Sequence, residues 1–397
     1  MALADGPAAG EAKVVWYNDP VVRGRIFQGL TLAFVVFLTW GIIHNTAVNL
    51  QSRNIAQGFG FLSTTAGFDI AQSLISYPQD ADYGRAILVG LVNTVLVAVL
   101  GVILATIFGF IGGVARLSSN YVVRKLATSY VEIVRNVPLL LQIFFWYFGV
   151  LRVLPGPRDS IQPIPGWIFL NNRGLIMPQV TMTKLTADAM FYAVLAAIVA
   201  ILVLRSVFRK LQERTGTQAP VFLISLAVLI AFPVVAYLAT GAGITLTAPA
   251  KSTFNITGGT RVIPEFMALL MALAFYTGAF IAEIVRAGIL AVSHGQTEAA
   301  SSLGLKPNNI LRLVVVPQAL RVIIPPLTSQ YLNLTKNSSL AVAVGYPDLV
   351  STGGTVLNQT GQAVEVIAIW MVIYLGTSLT TSAFMNWYNA KMAIRER

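Results

Sequence analysis

Apolar residues in this chain gather into eight long runs separated by shorter polar stretches. They are Ile26–Ile43, Ala86–Val114, Ile133–Val150, Ala187–Leu204, Val221–Leu238, Phe266–Val292, Leu320–Val344 and Val364–Phe384. About 20 consecutive apolar residues carry a helix across the hydrocarbon core of a bilayer, so each run predicts one span. The runs are continuous rather than alternating, which argues against the two-residue period of a β-barrel. The fold expected is all-α, a polytopic transmembrane helix bundle of about eight spans. No small-residue cleavage site follows Ile43, so the first run is expected to remain as a span rather than leave as a signal peptide.

Composition agrees: 56% of the 397 residues are hydrophobic, only 11% are charged, and the mean hydropathy is +0.72. Soluble domains carry about 25% charged residues. The net charge of +11 raises the question of a nucleic-acid partner, and the positions of the basic residues answer it. With the N-terminus inside, seventeen Lys and Arg fall on inner segments and eight on outer ones, while Arg135 and Lys336 lie within spans. Every inner segment holds at least three, whereas the outer Gly345–Ala363 has none. This is the positive-inside pattern. It implies an even number of spans with both termini cytoplasmic, and no nucleic acid. There are no cysteines, and His44 and His294 are too far apart in sequence to suggest a metal cluster.

Two outer segments are long. His44–Arg85 carries Phe59, Phe61 and Phe68 among glycines and is expected to pack on the outer ends of helices. The stretch between Leu151 and Ala187 is rich in Pro and Gly and reads as an outer loop. Neither has the length of a separate catalytic domain.

Between the sixth and seventh runs lies a polar loop with its own helical signals. Ser293 with Gln296 forms a capping-box pair. Gly304 suits the left-handed end of a helix, Asn308 can cap a second one, and Pro317 is expected to interrupt that helix at the membrane. On these residues alone the loop is either an interfacial helix–turn–helix or a docking surface.

The order Glu298-Ala299-Ala300, Gly304, Val314, Val316-Pro317 resembles the EAA loop of permease subunits of ATP-binding-cassette (ABC) importers, with Val where Ile and Leu are usual. The likeness extends outward. Glu132, Arg135, Pro138-Leu139-Leu140 and Gln142 resemble the E-x-x-R-x-x-P-L-L-x-Q segment of polar amino-acid permeases. Tyr276 to Ile289 is similar to their Y-x-x-A-x-x-A-E-I-x-R-x-G-I run, and Lys336 to Leu340 to their K-x-[ST]-S-L stretch. The family is that of histidine/glutamine permease-like chains. Within it, Gly345-Tyr346-Pro347-Asp348-Leu349 and the layout most resemble the larger permease of general or acidic L-amino-acid importers.

The resemblance implies a five-span type I importer core with an added N-terminal span and a two-span insert. The expected divisions are 1–85 (first span and outer segment), 86–153 (first two core spans), 154–262 (outer loops and insert) and 263–397 (remaining core spans with the docking loop 293–320). It further implies a permease of a bacterial inner membrane that moves polar L-amino acids inward by alternating access. Its partners would be an ABC ATPase dimer, a second and different permease chain, and an extracytoplasmic substrate-binding protein. No P-loop pattern occurs in the sequence, so the chain is not expected to be an enzyme. No cofactor is expected in it, with ATP and Mg on the partner ATPase. The residues carried over as the ATPase-docking set are Glu298, Ala299, Ala300, Gly304 and Pro317.

Charges within spans are costly and usually face an interior or a cavity. Lys336 lies fifteen residues past Arg321, roughly 22 Å along a helix, among Asn333, Thr335, Asn337, Ser338 and Ser339. Either it or its amide neighbours meet a substrate carboxylate near mid-membrane, or it is a structural lysine paired with Glu132 or Glu283, or with backbone carbonyls. Arg135 and Asn136, beside a helix-bending Pro138, either line the pathway or bond locally to Glu132. Glu283 and Arg286 can pair at i, i+3. The substrate-pathway candidates are therefore Lys336, Asn337, Ser338, Asn333, Arg135, Asn136 and Glu283. Gly109 and Gly113 permit a close helix approach, and Glu365 is expected at the outer interface. A secondary transporter, or a channel or assembly scaffold, is the alternative to the importer.

Overall fold

Two helices, α2 (Tyr83–Ala115) and α7 (Pro264–Leu290), form the spine of the bundle. They run side by side in the same direction, with Gly278 beside Ala105, Gly109 against Ile281 and Gly113 against Val285. A Cβ at Gly113 would stand 2.7 Å from Val285 and 2.8 Å from the Ala282 carbonyl. Glycine at these positions is what lets the two backbones close up. The computed structural model describes residues 20–52, 57–216, 219–241, 243–252 and 255–392. Lys13, Arg53, Arg395, Arg397 and the side chain of Lys391 lie outside the described residues.

Ahead of this spine, α1 (Pro20–Ser52) extends past its apolar run and leaves its apolar side chains uncovered. The outer segment after it folds onto the start of α2 as expected: Phe61, Ala66 and Ile70 are buried, while Phe59 is exposed. Glu365 is not a bare interface residue, because its carboxylate accepts the Gly58 N–H at 2.7 Å and so ties this segment to the last helix.

The third expected span is not one helix. It divides into α3 (Tyr121–Asn136) and α4 (Leu139–Phe144), which continues as a wide π turn over Phe145–Leu151. The two parts meet at 109°. Val137 is extended (φ −98°, ψ 128°) because the ring of Pro138 disfavours a helical residue before it. Arg135 and Asn136 thus end α3 rather than begin a span.

The insert is an antiparallel pair, α5 (Lys184–Thr215) and α6 (Val221–Ala239), whose apolar residues face outward. The outer stretches flanking it form strands where irregular loops were expected. Four of them, β1 (Ile161–Ile164), β2 (Ile168–Asn171), β3 (Gly174–Met177) and β8 (Thr260–Val262), make an antiparallel sheet in the order β1-β2-β3-β8. At the base of the insert β4 (Gln179–Met182) pairs with β5 (Ile244–Thr247), and β6 (Ala250–Lys251) pairs with β7 (Ile256–Thr257). The bundle is otherwise helical. Since α2 and α7 are parallel and α5–α6 is a hairpin between them, the bent α3–α4 unit must supply the remaining crossing. Seven described helices are long and apolar enough to span, and the bent pair makes eight.

After α7 come α8 (His294–Ser302), α9 (Pro307–Ile310), a π turn (Leu311–Val315) and α10 (Val316–Asn337). Pro317 does not interrupt this run. It sits in the first turn of α10, and the π turn before it absorbs the missing hydrogen bond. The break comes later. A 3-10 turn (Ser338–Val344) ends at Gly345 with φ +75°, and α11 (Leu349–Thr360) starts at Asp348, whose carboxylate accepts the Ser351 N–H. The segment taken as an outer loop is therefore mostly helix, laid along the first turns of α2 with Asp348 and Thr352 against Gly90. α12 (Ala363–Met392) closes the bundle, with Trp370 Nε1 donating to the Leu349 carbonyl at 3.1 Å.

Candidate functional site

The loop between α7 and α10 is a small protrusion built from local rules. Ser293 occupies the N-cap position of α8, but the capping box does not form: Ser293 gives only its carbonyl, to the Gln296 N–H at 3.0 Å. Gln296 instead accepts from Gln318 Nε2 at 3.3 Å, joining α8 to α10. His294 and Glu298 meet at 2.9 Å one turn apart. The helix ends as expected at Gly304, which has φ +75° while its N–H reaches the Ser301 carbonyl at 2.9 Å. Asn308 is not the next cap. Lys306 holds that position, with Pro307 in the first turn of α9.

Ala300 and Ile310 face inward and anchor the loop, and Pro317 is half-buried. Glu298, Ala299 and Gly304 face outward. Beside them stand Leu303, 82% exposed, and the exposed Leu311 and Leu313. These three leucines were not anticipated. For Leu303 the signal was an apolar side chain next to a left-handed glycine; Leu311 and Leu313 lie in the π turn before α10 and had no such sign. A local apolar patch rimmed by polar residues suits contact with another protein.

At the same end of the bundle α2, α3 and α7 meet at Glu283. Its carboxylate takes Arg286 at 2.6 Å, takes a bond from Arg116, and has Arg135 at 3.8 Å. Arg135 also lies 5.0 Å from the centre of the Phe280 ring. Neither the local Arg135–Glu132 pair nor a Lys336–Glu283 pair forms. Asn136 folds back to its own helix, donating to the Glu132 carbonyl at 2.7 Å. Arg116 was missed because its partner stands 167 residues away.

Further along α10, Leu334 is buried against Gly101, near the middle of α2. Asn333 and Lys336 project from the uncovered side, Asn337 is half-buried and Ser338 is buried. The hydroxyls of Thr335, Ser338 and Ser339 return to backbone carbonyls of their own chain segment, at 2.9, 2.7 and 2.7 Å. Among the described residues Lys336 forms no ion pair. Asn333 and Lys336 therefore share one face, while Glu283 is drawn into the arginine junction. Above them the buried Asn93 donates to the carbonyls of Gln72 (2.8 Å) and Pro347 (2.9 Å). That clamp joins the outer segment, α2 and the helix break, and the sequence offered only an Asn-Thr pair in an apolar run as its sign.

Residues 215–394 match the family model of the binding-protein-dependent transport system inner membrane component. The chain is 53% identical over 379 residues to the general L-amino acid transport system permease protein AapQ of Rhizobium johnstonii, covering 96% of this chain and 94% of that one. It is 51% identical over 385 residues to the putative amino-acid ABC transporter permease protein YhdX of Escherichia coli, covering 96% and 97%. Among solved structures, an amino acid ABC transporter crystallised with histidines matches with a TM-score of 0.47 at 21% identity, over 78% of this chain and 95% of that one.

Proposed function

The chain belongs to the family of binding-protein-dependent transport system inner membrane components, and from that premise we propose how its geometry serves transport. It is a permease subunit of an ABC importer for amino acids and is a membrane component rather than a catalyst. The observation that carries the mechanism is the protruding α8–Gly304 turn, with its exposed Glu298, Ala299 and Leu303. This turn docks on a partner ATPase, which holds the ATP and Mg. Closure of the ATPase dimer displaces α8. Because Ala300 and the Gln296–Gln318 bond fix α8 to the bundle, α7 and α10 move with it, and the pathway turns from inward to outward.

The cargo is a polar L-amino acid, delivered by an extracytoplasmic binding protein and released to the cytoplasm. General L-amino acid transport in the name of one relative supports that class. The pathway runs along the uncovered face of α10 bearing Asn333 and Lys336, against a second permease chain. A lone ammonium with neither Glu132 nor Glu283 in reach is suited to hold the carboxylate common to all amino acids. The distribution of Lys and Arg supports a cytoplasmic placement of both termini.

The docking step has a clean chemical test, since the chain has no cysteine. Ala299→Cys introduces a single thiol, and a short thiol-to-amine cross-linker in the assembled transporter is expected to join it to a P-loop ATPase. Trp167→Cys, on the outer sheet, is expected to give no such adduct. An ATPase adduct from both positions, or from neither, contradicts docking at this turn.

A further inference from the structure

The inner end of the bundle holds more positive charge than its carboxylates neutralise. Around α3 stand Arg116, Arg124, Lys125, Arg135 and Arg286, against only Glu132 and Glu283. Glu283 already serves three of the guanidiniums. Even so, Arg116 Nε is buried and finds no acceptor among the described residues, on a side chain only 11% exposed. A buried cationic donor without an acceptor is destabilising, and a further anion at the partly exposed Arg135 and Arg286 beside it would offset the excess charge of the junction.

The shape of α3 indicates where that anion comes from. Val122, Leu126 and Ile133 are all exposed and fall on one helical row, on the side of α3 opposite the buried Val131. Lys125 and Glu132 border the row on one side, while Arg124 stands at the start of α3 beside Tyr121, on the side of Val131. A helix that lies across the end of a bundle, apolar on its free face and with basic residues at its start, sits in the headgroup boundary. Basic pockets between spans on the cytoplasmic side hold lipid headgroups. We propose that α3 and the Arg116–Arg286 junction bind the phosphate of an anionic phospholipid in the inner leaflet. α3 also packs on α7, with Val131 against Ala279 and Ala282, so a bound lipid steadies the helix that carries the docking loop.

The inner-leaflet placement rests on the orientation proposed above, but the test reads lipid retention and not transport, so the two readings fail separately. Phosphatidylglycerol and phosphatidylcholine of equal chain length are titrated into the delipidated transporter complex, and bound lipid is counted by native mass spectrometry. The wild type is expected to retain phosphatidylglycerol over phosphatidylcholine by on the order of tenfold, as one or two basic contacts near an anionic headgroup provide. Arg116→Gln is expected to lose that preference. The double variant Arg124→Gln/Lys125→Gln, which alters only exposed positions, is expected to lose much of it and decides the matter if Arg116→Gln does not fold. Equal retention of both lipids by the wild type, or an undiminished preference in the variants that fold, overturns the proposal. Displacement of the lipid by roughly millimolar inorganic phosphate would reveal a free-anion site and overturn the lipid assignment.

Discussion

Gly304 holds φ at +75° with nothing within 4 Å of the place a Cβ would take. The demand for glycine there is conformational, not steric. An L-residue in the left-handed region costs about 1–2 kcal/mol, more when β-branched, while asparagine tolerates it better. Gly304→Val is therefore expected to unseat the α8 turn and abolish ATP-coupled uptake while the chain still inserts, and Gly304→Asn is expected to restore most of it. Uptake rates in proteoliposomes check both, and a fully active Gly304→Val variant would exclude a shaped docking turn. Lys336 makes the second prediction at this scale. Lys336→Met removes a charge that has no ion-pair partner among the described residues, so subunit assembly and Tm should hold. Uptake should fall by roughly tenfold or more, the worth of one charge-assisted bond to a carboxylate. Unchanged uptake would remove Lys336 from the pathway; a loss of assembly instead would mark it as structural.

Among the helices, the most consequential feature is the break between α10 and α11. Asn93 bridges it by bonding the Pro347 and Gln72 carbonyls from within α2, and Thr94 accepts the Leu349 N–H at 3.0 Å. Asn93→Leu leaves two buried carbonyls unpaired and is expected to cost about 2–4 kcal/mol, read as a lowered Tm of the purified complex; a Tm equal to wild type would show that the clamp is dispensable. This break was hidden in the sequence because Ser338–Val344 continues an apolar run, and hydropathy does not register backbone handedness. Gly345, Pro347 and the capping Asp348 were its local signs. The bend at Pro138 was visible as a tendency, but its size depends on α3 packing against α7, which no local pattern encodes. The spans themselves were legible because the bilayer forces long apolar runs. The strands flanking the insert were not: β3 pairs with β8 across more than eighty residues, and their Pro and Gly content concealed the pairing.

For the whole molecule, the parallel course of α2 and α7 requires an odd number of crossings between them, which the α5–α6 hairpin and the bent α3–α4 unit supply. The α8–Gly304 turn and the uncovered face of α10 both belong to the bundle built on α2 and α7. The α5–α6 hairpin and the outer sheet add bulk to the side and to the outer surface. The proposed docking residues stand out in the sequence as an ordered motif, and a turn that another protein recognises needs such fixed residue types at fixed spacing. The Glu283 junction was only half legible, because Arg286 is a neighbour on the same helix whereas Arg116 arrives through folding.

In the function proposed for it, this chain moves an amino acid only when a partner ATPase works on it. The direct measurement is uptake of a radiolabelled L-amino acid into proteoliposomes holding this chain, its companion permease and the ATPase, with the binding protein outside and ATP inside. The account predicts accumulation that requires internal ATP, disappears when this chain is omitted, and is indifferent to ionophores. Uptake that persists without ATP and collapses with the ion gradient, or that survives omission of this chain, would contradict it.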